Sequence, residues 1–162
     1  MPTLAIRHKL AAIVALLLVP IALLAWLFVA QSRKDITFAA KEADGTHYLQ
    51  AVWPVLSAAT SIDGAARAKP GVDGLAAQGR ALDEAMGSAE AAKAVAKALP
   101  ALSASRRDGE VEGLIAALRT LTSKVADGSN LTLDPDLDSY YVQDAVTVKL
   151  PETIDQAAGL LA

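Results

Sequence analysis

The chain of 162 residues has no cysteine, which excludes a disulfide framework, thiolate metal sites and a thiol nucleophile. Aromatic residues are scarce, with two Trp, three Tyr and two Phe making 4% of the chain. The hydrophobic share is 53%, but much of it is alanine, so each residue has little area to bury and the expected core is thin and helical. No basic block stands at either end and the formal net charge is −3, which sets nucleic-acid binding aside. G-x-S-x-G, a phosphate-cradling glycine loop and H-E-x-x-H are all missing, and the two histidines, His8 and His47, stand far apart. The chain is therefore expected to hold neither a catalytic set nor a cofactor. Strand patterns are nearly missing too. The strongest, VTVKL at residues 146–150, is short and lies between helical signals.

What is present begins with residues 10–30, an apolar run of 21 residues without a charge. As a helix it would be roughly 32 Å long, against a hydrocarbon core of about 30 Å. Membrane spans tolerate a proline such as Pro20, and Trp26 suits an interfacial position. The run is longer than the about 7–15 apolar residues of a signal peptide, and Phe28 would fall at the −3 position of a cut after Ala30. An uncleaved anchor is expected. Arg7 and Lys9 on one side and Arg33, Lys34 and Lys41 on the other leave its orientation undecided. Residues 31–162 hold 13 basic and 18 acidic residues, net −5, which leans towards export.

Beyond the run, apolar residues recur at helical spacing. A first helix over residues 32–59 is expected to continue the membrane helix, with Ile36, Ala40, Ala43, His47, Val52, Val55 and Leu56 on its inner face and Pro54 bending or ending it. Residues 60–74 read as a glycine-rich loop turning at Pro70-Gly71. A second helix over residues 74–99 has a heptad-like seam of Leu75, Leu82, Ala85, Ala89, Ala92, Ala96 and Leu99, with Pro100 as its stop. A third, residues 110–126, shows the clearest stripe: Val111, Leu114, Ile115, Leu118, Leu121 and Val125, with Glu112, Arg119 and Lys124 off it. Asp127-Gly128 suits a C-terminal glycine cap. The last helical stretch starts at Pro135, groups Leu137, Tyr141, Ala145 and Val148, and is kinked or divided by Pro151 before Ile154, Ala158 and Leu161. The fold class expected is all-α, one transmembrane helix followed by an antiparallel helical bundle.

The densest stretch is SNLTLDPDLDSYYVQDAV, residues 129–146, with Asp134, Asp136 and Asp138 at alternate positions. A calcium loop counted from Asp134 would need glycine at its sixth position and glutamate at its twelfth; Ser139 and Ala145 stand there. No metal is expected. The spacing fits a helix start instead: Asp134 as N-cap, Pro135 at the first helical position, Asp136 and Asp138 in the first turn against the positive end of the dipole. Tyr140 and Tyr141 then fall where the helix begins to bury a face, and are expected as core aromatics rather than as pocket walls.

GSNLTLDPDLDSYYVQDAVTVKLPE, residues 128–152, resembles a segment of the sensory regions of bacterial transmembrane signalling receptors, chiefly methyl-accepting chemotaxis proteins. Similar segments occur in sensor histidine kinases and diguanylate cyclases. IRHKL before the apolar run and FAAKEADGTHYLQAVWPVL after it agree with the same pattern, while Gln143 and Thr147 stand where it has more apolar residues. The resemblance implies a cytoplasmic N-terminal tail over residues 1–9, an inner-membrane span over residues 10–30, and a periplasmic helical sensor over residues 31–162, truncated before a second span and an output module. It also implies a homodimer and an unknown small-molecule ligand, with the bilayer as the other partner. Asn130, Asp134, Pro135, Asp136, Asp138, Tyr140, Tyr141 and Asp144 are the motif residues expected to matter, structurally first. The alternatives are the sensor region of a kinase or cyclase, or a small membrane-anchored scaffold.

Overall fold

The structure is a computed structural model describing residues 6–61, 64–102, 108–133 and 137–160. Among these every regular element is helical, as expected. Helix α1 runs Ile6–Ala59, α2 Gly64–Met86, α3 Ala89–Ala98 and α4 Asp108–Gly128. Helix α5 (Leu137–Asp144) passes through a π-helical turn, Ala145–Lys149, into α6 (Leu150–Leu160). The VTVKL run lies in that turn and the start of α6, not in a strand. The chain divides into two units, Met1–Ala39 and Ala40–Ala162, and helix α1 contributes to both.

In the first unit the described residues form one helix, long and apolar enough to cross a membrane. Its large apolar side chains are exposed, among them Leu16, Leu24, Trp26 and Phe28. Beyond the apolar run the helix is held locally: Gln31 Nε2 donates to Asp35 Oδ1 at 2.8 Å and Thr37 Oγ1 to the Arg33 carbonyl at 2.9 Å.

The second unit is built around α4. Val111, Leu114, Ile115, Leu118, Leu121 and Val125 are all buried, which is the stripe the 3.6-residue spacing dictates. Tyr48, Leu49, Val52, Val55 and Leu56 of α1 and Ala91 and Val95 of α3 complete the core. Helix α4 also packs against α2 and α6, and Arg119 pairs with Asp155 and Glu152 across the α4–α6 contact.

Several expectations fail, each for a packing reason. The inner face of α1 holds Gly45, Tyr48, Leu49, Val52, Val55 and Leu56, whereas Ile36, Ala40, Ala43 and His47 are exposed. One residue along a helix is about 100° of rotation, and the first half of the expected stripe, Ile36 to His47, reaches the buried set one residue short of Tyr48, so it falls on the outer face. Pro54 does not end the helix, because Val55, Leu56, Ala58 and Ala59 beyond it are all buried and offset the lost hydrogen bond.

Residues 64–74 are not a loop. They form the first three turns of α2, with Pro70 inside it and Gly64, Ala68 and Gly71 buried. A Cβ at Gly71 would stand 2.8 Å from the Ala51 carbonyl oxygen, and one at Gly64 would stand 2.7 Å from that of Ala58. The glycines are there because α2 approaches the backbone of α1 closely, and the contact outweighs the local turn signal.

The segment over residues 74–99 is two helices. Gly87, at φ +64, breaks it, and Pro100 lies inside a 3-10 turn, Leu99–Leu102. Of the expected seam, Ala85 and Ala96 are exposed while Leu75, Leu82, Ala92 and Leu99 pack on the core. At the end of α4 the left-handed residue is Asn130, at φ 66, and not Gly128. Gly128 serves a different need, since a Cβ there would clash with the Met86 carbonyl oxygen.

Candidate functional site

The motif residues do not gather into one site. Asn130 takes the left-handed conformation that stops α4, its N–H donating to the Asp127 carbonyl at 3.3 Å. Asp134, Pro135 and Asp136, and with them the expected cap, lie outside the described residues. Asp138 belongs to the first turn of α5, its side chain outside the described set. Tyr140 and Tyr141 are 46% and 66% exposed, so they are not core aromatics; their rings meet edge to face at 5.8 Å. Neither lines any cavity described here. The reason is rotation again: half-buried Gln143, Asp144, Val146 and Thr147 present the inner side of this stretch.

Asp144 is half-buried where α5 meets the π-turn and makes no side-chain cap there. The extra residue per turn has a cause two residues into α6: Pro151 lacks an N–H, its ring crowds the carbonyl four residues back, and a π-turn lets the ladder absorb it. Near Pro151 the helix changes from α to π and back without a break. Gln143 and Thr147, polar where the resemblance has apolar residues, line a cavity of about 180 Å³ with Leu49, Gln50 and Trp53 of α1.

A larger cavity, about 330 Å³, opens between α1, α2, α3 and α4. Its wall includes four short side chains, Ala76 from α2 and Ala89, Ala92 and Ala96 from α3, with Leu75 and Val95 beside them. The alanines that make the core thin also leave this space.

Polar chemistry at this cavity comes from three residues that periodicity did not single out. Tyr48 Oη donates to Asp83 Oδ1 at 2.6 Å, and Ser88 Oγ donates to the same oxygen at 2.7 Å. Tyr48 and Ser88 are fully buried. The Ser88 N–H also donates to the Asp83 carbonyl at 3.0 Å, so the break at Gly87 fixes the hydroxyl against the carboxylate. Ser88 precedes α3 as an N-cap would, yet its side chain turns back to α2 instead. Gly79 stands beside this group, and a Cβ there would come within 2.8 Å of Asp83 Oδ2, so the carboxylate would have to shift. Burial first, then the hydrogen bond and charge of Asp83, push the Tyr48 phenol well above its usual pKa, with Ser88 acting weakly in the other direction.

The arrangement holds a tyrosine neutral and a carboxylate hydrogen-bonded at the wall of an interhelical cavity. It suits binding. Among the described residues no three His, Asp or Glu side chains stand together as a metal site. The available signal for Tyr48 was its place one turn before Val52 and two before Val55. Asp83 and Ser88 had none, being 35 and 40 residues away from it.

No family model, curated protein or solved structure matches the chain.

Proposed function

We propose that the chain is the membrane-anchored sensory region of a transmembrane signalling receptor of the chemoreceptor type. Residues 10–30 span the inner membrane, and the second unit lies outside the cytoplasm as an antiparallel helical bundle. The cavity beside Asp83 receives a small ligand. One observation carries the reading: the helix with the apolar run of spanning length, α1, also supplies Tyr48 to the wall of that cavity. A ligand that preferred one packing of α1 against α2 and α3 would bias a two-state equilibrium, and a small displacement of α1 would report it to the membrane. In this reading the chain binds and transmits, a second copy pairs with it, and no catalysis is assigned to its residues.

The absence of cysteine makes the test simple, because one introduced thiol is a unique label. Glu112→Cys, on the exposed side of α4, should react with a membrane-impermeant maleimide in intact bacterial spheroplasts. Thr3→Cys should react only after lysis, on a chain of unchanged mass. Labelling of Glu112→Cys only after lysis would overturn the reading, as would a shortened, soluble product.

A further inference from the structure

We infer that the cavity between α1, α2, α3 and α4 takes a small apolar amine, its body against the alanines of α3 and its ammonium group on Asp83 Oδ2. The volume of about 330 Å³ falls at the lower end of small-molecule pockets, about 300–1,000 Å³. The wall is apolar apart from the Tyr48–Asp83 pair and two exposed cations, Arg80 and Lys93. Both hydrogen bonds described for the Asp83 side chain converge on Oδ1. Oδ2 keeps its acceptor capacity, and a carboxylate can accept at both oxygens. Gly79 leaves the space next to Oδ2 that any side chain would take.

The same geometry disfavours an anion at Asp83. Tyr48 and Ser88 already spend their hydroxyl protons on Asp83, so the donors left on the wall are those of the exposed Arg80 and Lys93. Lys93 is engaged at the surface by Glu90, Nζ to Oε1 at 2.7 Å. A cation on Asp83 gains a charge-assisted hydrogen bond, whereas a carboxylate in the same place would face a like charge. The alanines decide size. At Ala92, facing the cavity from α3, a leucine would occupy the ligand's volume without displacing backbone.

The inference rests on the sensory reading for its purpose, but binding does not depend on which side of a membrane the unit occupies, so the two fail separately. The full chain in lipid nanodiscs is dialysed against benzylamine, benzyl alcohol and benzoate, three probes of similar size and different charge. Benzylamine should bind saturably, one per chain. The alcohol and the acid should bind at least about tenfold more weakly, the order set by one hydrogen bond to a charged group. Ala92→Leu should abolish benzylamine binding while the thermal unfolding midpoint, followed by circular dichroism, is kept or raised. Asp83→Asn should erase the preference for the amine; if that variant unfolds, Ala92→Leu still decides. Four results would overturn the proposal: no saturable benzylamine binding, equal binding of all three probes, preference for benzoate, or benzylamine binding that survives Ala92→Leu.

Discussion

At Tyr48 a phenol keeps its proton because burial disfavours the phenolate and because ionising it would lose the hydrogen bond to Asp83 and place a second negative charge beside it. The sign of the linkage follows. The folded pKa lies above the unfolded value of about 10, so the stabilisation is complete below that pH and is lost as pH rises towards the folded value. Tyr48→Phe should lower stability by about 1–3 kcal/mol at neutral pH, the range for a hydrogen bond to a charged group. It should also flatten the alkaline decline between about pH 10 and 12 in urea unfolding. A decline as steep as the parent's would show that Tyr48 is not its source. Two glycines of α4 separate conformation from space. Gly113 has nothing within 4 Å of where a Cβ would stand, so Gly113→Ala should stabilise by about 0.5–1 kcal/mol. Gly128 faces the Met86 backbone, so Gly128→Ala should destabilise by about 1–3 kcal/mol. Thermal unfolding of the pair checks both signs at once. Composition counts glycines, but only the neighbour across the helix crossing says which of them can be replaced.

Helices differ in how much of themselves they announce. Helix α4 is legible because its large apolar residues fall on one stripe and its charges off it, so the pattern and the burial coincide. Helix α2 is not, because Gly64, Ala68 and Gly71 are small residues at helical spacing and look like a turn sequence until a partner backbone is placed against them. Pro70 tests this assignment. It is exposed within α2 and deprives the helix of one hydrogen bond, so Pro70→Ala should stabilise by about 1–3 kcal/mol and slow amide exchange in residues 66–74. An unchanged midpoint with fast exchange there would mean that residues 64–74 are not helical in solution. A disturbance near Pro151 was legible, since a proline cannot continue an α-helical ladder unchanged. Its form was not, because whether the chain breaks, kinks or takes a π-turn depends on what α5 and α6 pack against.

For the second unit as a whole, the core is small and its energy is concentrated. Leu114, Ile115, Leu118 and Leu121 are its large fully buried residues on α4, and Tyr48, Leu56 and several valines and alanines make up much of the rest. Leu118→Ala should cost about 2–5 kcal/mol, a large share of the about 5–15 kcal/mol that holds a typical domain. Urea unfolding should show that loss as a lower midpoint with little change in slope; a loss under about 1 kcal/mol would mean that α4 is not central to the core. The amino-acid sequence by itself determined that the described elements are helical, that residues 10–30 form an apolar run of spanning length, and that α4 buries one stripe. These are set by composition and by spacing within a single helix, which need no partner. The tertiary structure decided which face of α1 turns inward, that α2 continues through Pro70, that Tyr140 and Tyr141 stay exposed, and that Tyr48 meets Asp83 and Ser88. Each depends on residues tens of positions apart, and where two helices meet through alanine and glycine, as α1 and α2 do, the fit between backbones chooses the packing more than side-chain size does.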